Sequence, residues 1–252
     1  MSSPAPNSRY PFAHKVAPKS RVTATNRLRC IRMPSLWCVD GPDQLLAEQI
    51  AYYRAHAPDY SKTVIPWTAA QDELVAAVQG FRPTGHLLEL ACGPGTWTPG
   101  LLRGVVSLTA VDASPEMLEL AAKRVKAGAV RFIRADLFNW QPDRRYDAIF
   151  FGFWLSHIPH ERFAPFWSMI DTALHPRGHV FFIDDNLRAP DELIEGEASS
   201  TIQRRLSDGT PHRIVKVPHD PKELEERLNK LGWRITVTPT SGPYYWGAGQ
   251  RA

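Results

Sequence analysis

The chain has 252 residues, 43% of them hydrophobic and 22% charged, enough for one α/β domain around a large core. Its formal charge of +4 sits in the first 32 residues, which hold seven Lys and Arg and no acid; residues 33–252 hold 23 basic and 26 acidic side chains, a formal −3. The pI therefore gives the folded part no basic nucleic-acid surface, no run of about 18 apolar residues offers a membrane span, and Cys30, Cys38 and Cys92 lack metal-ligand or disulfide spacing, as expected of a cytoplasmic chain.

Residues 1–42 read as a basic leader, rich in Ser, Thr, Pro and Arg and without a periodic apolar face, hence expected to be disordered. A transit peptide, a basic arm for nucleic acid and an initiation at Met33 are the three readings, the last favoured because organised sequence begins soon after it. A helical cap is predicted over 43–84. Leu46, Ile50 and Tyr53 recur at helical spacing, and Thr68 with Gln71 forms a capping-box signature ahead of a second helix that ends near Gly80.

From residue 86 short apolar runs alternate with amphipathic ones. Strands are expected over 86–91, 107–113, 130–135, 146–152 and 179–185. Ser114-Pro115 opens a helix with Met117, Leu118, Ala121, Ala122 and Val125 on its buried stripe, and Phe163, Phe166, Trp167, Ile170 and Leu174 mark another. The alternation predicts a doubly wound, mostly parallel sheet covered on both faces. Residues 186–212 read as a polar, lid-like insertion, followed by a strand at 212–217. A helix then runs from Asp220-Pro221 to Gly232, and the strand 233–240 turns at 241–243 into the run Tyr244-Tyr245-Trp246.

The stretch LELACGPGTWT (88–98) sets the functional question. Its G-x-G follows an apolar run, but the third glycine of a dinucleotide fingerprint is replaced by Thr98. Three acids surround it: Glu89 near the end of the first strand, Asp112 ending the second and Asp136 following the third. A carboxylate after the second strand suits ribose hydroxyls, and one after the third suits an exocyclic adenine amine. With no third glycine and no phosphate-binding lysine, the ligand reads as an adenosine without a pyrophosphate, a description that S-adenosylmethionine fits.

In order and spacing, ELACGPGT (89–96), VDASPEML (111–118), ADL (135–137) and YDAIFFGF (146–153) resemble the motifs of class I S-adenosylmethionine-dependent methyltransferases, in their small-molecule branch. The likeness covers about residues 43–250. It implies a Rossmann-like sheet of seven strands in the order 3-2-1-4-5-7-6, the last strand antiparallel. It also implies that Gly93, Gly95 and Glu89 face the methionine moiety, Asp112 the ribose, Ala113, Met117, Asp136 and Leu137 the adenine, and the backbone at Phe151 and Gly152 the methionine portion. Pro94 departs from the motif by removing one N–H, which the loop is taken to tolerate.

Methyl transfer from a sulfonium needs alignment, and a base only if the acceptor must lose a proton. His157, just past the fourth strand, is the candidate base, with pocket lining as its bland reading. Tyr53, Trp154, Asp184 and Asp185 are candidate acceptor contacts, with caps and aromatic packing as alternatives, and Tyr52 and Tyr60 share the N-terminal segment. Arg204, Arg205, His212 and Arg213 border the insertion; a solvated surface is preferred for them over an acidic-substrate site. No metal is expected, and the sequence carries no signal for oligomeric state. The expected activity is methyl transfer to O or N of a small-molecule acceptor. A nucleic-acid methyltransferase is disfavoured because FFGF stands where an Asn/Asp-Pro-Pro-aromatic motif is usual, and a noncatalytic cofactor-binding protein is the third reading.

Overall fold

The five apolar runs become five parallel strands in the computed structural model, which describes residues 42–60, 68–194 and 200–252. These are β1 (Gly85–Leu90), β2 (Val105–Asp112), β3 (Val130–Arg134), β4 (Tyr146–Gly152) and β5 (Leu174–Asp185). Near the C-terminus β8 (Trp233–Pro239) and β9 (Tyr244–Arg251) complete a sheet in the order β3-β2-β1-β4-β5-β9-β8, with β9 antiparallel to both neighbours. That is the expected order once the two strands of a separate hairpin are left out. Residues 1–41, which make up nearly all of the predicted leader, lie outside the described residues.

Both faces of the sheet are covered, and β4 shows how. Ile149 and Phe151 join a core with Phe163, Phe166, Trp167 and Ile170 of α5 (His160–Ala173) and Leu224 and Leu228 of α6 (Pro221–Lys230). Ala148 and Phe150 face the other way, toward Leu74 and Val78 of α2 (Ala69–Gly80) and Leu101 of the single-turn α3 (Thr98–Leu101). Side chains that alternate between two apolar cores must be apolar at every position, which is why the run reads as continuous.

Local signals set the helix ends. Thr68 N donates to Gln71 Oε1 (2.8 Å) in the capping box before α2. The Ser114 hydroxyl accepts from Met117 N (3.1 Å) at the start of α4 (Pro115–Ala122), and Asp220 caps α6 through Lys222 N and Glu223 N. The stripe predicted for α4 is shortened: Met117 and Ala121 are buried, Ala122 is exposed and Val125 lies beyond the helix end. Leu174 starts β5 instead of ending a helical stripe.

The region after β5 differs from its sequence reading. Residues 212–217 do not add a strand to the main sheet; β6 (Thr201–Arg205) and β7 (Pro211–Val215) pair as an antiparallel hairpin of their own. The hairpin packs on α1 (Pro42–His56). Tyr52 meets Ile202 and Ile214, Glu48 pairs with Arg213 (3.0 Å), and Gln49 Oε1 accepts from Val215 N (3.0 Å). On its other side α1 reaches α4 through Arg54 and Glu116 (2.8 Å). The roof over the carboxyl edge of the sheet is thus α1 with the hairpin, while α2 belongs to the sheet's covering layer.

Candidate active site

Strand register brings the carboxyl ends of β1, β2 and β4 side by side, with Leu90 paired to Val111 on one flank and to Phe151 on the other. This is the point where strand order reverses and where open α/β sheets form their ligand crevice. A cavity of about 1480 Å³, open mouth included, lies there beneath α1 and the hairpin. Two residues at its floor hold left-handed backbone without being glycine: Ala91, just past β1 (φ 47°), and Phe153, just past β4 (φ 56°). Such conformations cost energy and persist where surrounding structure imposes them, commonly at functional sites.

One half of the cavity is built by the glycine loop. Gly93 (φ 53°) aims its N–H at Asp112 Oδ2 (2.8 Å), and Ser114 N donates to Asp112 Oδ1 (2.8 Å). The carboxylate is locked between loop and helix, and each oxygen keeps a further lone pair. Burial pushes the Asp112 pKa up, against the pull of its backbone donors. Glu89 is buried and accepts from the Thr98 hydroxyl (2.8 Å); burial raises its pKa to about 8, the Thr98 bond opposing and the Asp112 charge adding. Thr98, in the place of a third glycine, therefore ties α3 to β1 through an acid. Asp136 accepts from Phe138 N (3.0 Å) and Asn139 Nδ2 (2.7 Å), so its carboxylate is set by its own turn.

The other half is built by α1, the hairpin and the turn after β4. The His157 Nδ1 lies 2.6 Å from the Val215 carbonyl oxygen and its Nε2 lies 3.0 Å from the Tyr53 hydroxyl. Burial, then the charges of Lys216 and Arg204, push the His157 pKa well below the ordinary imidazole value. Arg204 is 7% exposed, with Nε donating to Glu192 Oε1 (3.1 Å) and a further hydrogen bond to the Tyr52 hydroxyl. Lys216, 1% exposed, lies 2.8 Å from Asp185 Oδ1 and donates to the Ser156 hydroxyl (3.0 Å). Trp154 Nε1, buried beside Phe138, has no hydrogen-bond partner among the described residues.

The structure brings most of the predicted site residues to this one cavity: Glu89, Gly93, Asp112, Ala113, Met117, Asp136, Leu137 and Gly152 on one side, with Tyr53, Trp154, His157 and Asp185 on the other. Three fall elsewhere. The Phe151 ring is in the core, stacked on Phe182 at 5.2 Å, so this residue has its backbone alone to offer at the end of β4. Gly95 serves packing, since a Cβ there would stand 2.8 Å from Ala121 Cα. Asp184 is fully buried and accepts from Ser156 N and Oγ (2.9 and 2.7 Å), which fixes the turn at 155–157. Arg204, read as solvated surface, lines the cavity, and Lys216 was not singled out at all. Their signal was two-residue periodicity: Ile202 and Arg204 share a face of β6, Lys216 follows Ile214 at the same spacing one residue past β7, and both isoleucines are buried.

The acids and bases of the cavity partition. Around the glycine loop stand Glu89, Asp112 and Asp136, whereas Arg204 and Lys216 belong to the hairpin half. An acid-lined floor without cations suits hydroxyls, amines and positive charge and opposes a pyrophosphate. The Cβ direction at Gly93 is also empty to 4 Å, which leaves the loop backbone open to a ligand. Fold and floor together define a Rossmann-like protein for an adenosine cofactor that lacks a pyrophosphate.

Comparison with known proteins narrows this class. A model of the methyltransferase domain family matches residues 87–178. A trans-aconitate 2-methyltransferase of Sinorhizobium fredii (strain NBRC 101917 / NGR234) is 30% identical over 193 residues, 75% of this chain and 72% of that protein. The DhpI–SAH complex superposes with a TM-score of 0.74 at 35% identity, covering 84% of this chain and 99% of DhpI. The DhpI–SAM–HEP complex does so with a TM-score of 0.72 at 37% identity, covering 81% and 96%. The chain belongs to the S-adenosylmethionine-dependent methyltransferases, and S-adenosylmethionine is its cofactor. No helix among the described residues is long and apolar enough to cross a membrane.

Proposed function

We propose that the enzyme methylates an oxygen of a small acidic acceptor, a carboxylate held in the hairpin half of the cavity. The observation that carries this reading is Arg204, a buried guanidinium at the cavity wall whose salt-bridge partner among the described residues is Glu192. A guanidinium has five N–H donors in a planar fork matched to an oxyanion, and Glu192 is met through Nε, so the terminal nitrogens are suited to a further anion. The relatives named for methylating trans-aconitate support it.

When bound, the cofactor supplies a methyl group on a positively charged sulfur, an already activated leaving group. Asp112 is suited to hold the ribose hydroxyls, Asp136 with Leu137, Ala113 and Met117 the adenine, and Glu89 with the Gly93 and Gly152 backbones the methionine end. A carboxylate acceptor with an ordinary pKa of about 4 is ionised at neutral pH and needs no base. Alignment and exclusion of water are then the work of the protein. His157 fits that demand: both ring nitrogens are engaged and its basicity is suppressed, so it holds Tyr53 in place of taking a proton. Trp154 and Asp185 bound the acceptor space, Asp185 by holding Lys216. The acceptor is a free small molecule, since α1 and the hairpin roof the site.

The test is a turnover screen of dicarboxylates and tricarboxylates against phenols and amines with S-adenosylmethionine, reading the methyl ester by mass. Arg204→Ala is expected to raise KM for the acid roughly 10- to 100-fold, the worth of a charged hydrogen bond, with Arg204→Lys intermediate. Turnover of phenols or amines with no carboxylate methylated would overturn the reading.

A further inference from the structure

The proton positions around His157 are fixed by their partners. A carbonyl oxygen can only accept, so the Val215 contact at 2.6 Å places a hydrogen on His157 Nδ1. The ring is neutral, because it is buried, its two ring partners are uncharged, and Lys216 and Arg204 oppose a further positive charge. Its Nε2 is then a lone pair, and the Tyr53 hydroxyl 3.0 Å away donates to it. Gln49 ties the arrangement together by accepting from Val215 N (3.0 Å) and donating to the His157 carbonyl (3.4 Å). Three elements thus set one proton: α1 brings Tyr53 and Gln49, β7 brings Val215, and the turn after β4 brings His157.

With its hydrogen committed to His157, the Tyr53 oxygen offers the cavity lone pairs alone. The Tyr53 ring packs on Tyr52 (5.2 Å between centroids) and Tyr52 on His212 (5.8 Å), the strand partner of Arg204, so Tyr53 and Arg204 line the same end of the cavity. We propose that Tyr53 is a specificity-determining residue that selects an acceptor carrying a hydrogen-bond donor, a hydroxyl or an ammonium, beside the acidic group held by Arg204. This rests on the acidic-acceptor reading given above. A second carboxylate oxygen placed there would meet lone pair with lone pair. Turning the Tyr53 proton toward the ligand would strand the buried His157 Nε2. His157 is the positioning residue of the pair, acting through Tyr53.

Malate and succinate differ by one hydroxyl and serve as probes. Their binding to the full chain saturated with S-adenosylhomocysteine, where no transfer occurs, is measured by calorimetry. Malate is expected to bind about tenfold tighter, the worth of one neutral hydrogen bond. Tyr53→Phe should bring that ratio to one. In the ¹⁵N spectrum of the unsubstituted protein, His157 is expected to carry its hydrogen on Nδ1 alone. Equal binding of both acids, or a hydrogen on Nε2, would overturn this inference and leave the acidic-acceptor reading standing. Failure of both acids to bind would overturn that reading and this inference with it.

Discussion

Replacing Glu89 by Gln removes a titrating proton from a carboxyl group that is 1% exposed and accepts a 2.8 Å hydrogen bond from Thr98. Burial, partly offset by that bond and reinforced by the Asp112 charge, lifts the Glu89 pKa from 4.5 to about 8. The folded state therefore binds this proton more tightly than the unfolded chain. The stability it contributes is fully present below pH 4.5 and is lost as the pH rises to about 8. At roughly 1.4 kcal/mol per pH unit, the loss between pH 5 and pH 8 is on the order of 4 kcal/mol. Glu89→Gln keeps the shape of the protonated acid and cannot ionise, so this slope should vanish. The assay is urea unfolding of both proteins at pH 5 and pH 8 without cofactor, with the difference between them taken at each pH. Subtraction cancels Asp184 and leaves of Asp112 only its coupling to Glu89; burial raises the pKa values of both. A difference that stays constant between the two pH values would refute the reasoning, because Glu89 would then titrate in the folded state as it does when unfolded.

Lys216→Met leaves Asp185 and Asp184 buried without their cation, and unfolding stability should fall by about 3–5 kcal/mol. Adding Asp185→Asn should recover part of it, and a loss under about 1 kcal/mol in urea would contradict the pairing. Gly95→Ala should cost roughly 2–4 kcal/mol, from a left-handed backbone (φ 74°) and a Cβ set 2.8 Å from Ala121. Thermal unfolding unchanged from the parent protein would show that α4 can move aside.

Sequence order and spacing carried the fold. Apolar runs such as 146–152 are long enough to name a strand and too continuous to face water, so a parallel sheet under two layers follows from local chemistry. Caps and turns obey nearest-neighbour rules, and Thr68, Ser114, Asp220 and Gly232 were therefore legible. The cofactor floor was legible for a related reason. Asp112 and Asp136 sit at strand ends whose position the strand pattern already fixes. Adjacent strand residues point to opposite faces, however, and that alone sent the Phe151 ring into the core while Gly152 lines the cavity.

The acceptor half was decided by tertiary structure. Arg204 and Lys216 come from a hairpin more than forty residues beyond His157, and Tyr53 from a helix about a hundred residues before it. Nothing local says whether a charged side chain in a polar insertion meets water or a cavity. That depends on which surface the hairpin covers, and its packing on α1 settles it. The same holds for His157: its residue type made it a candidate base, but the Val215 carbonyl and the Tyr53 hydroxyl engage both nitrogens. A side chain's chemical capacity is local, whereas its protonation and exposure depend on neighbours that only the folded chain supplies.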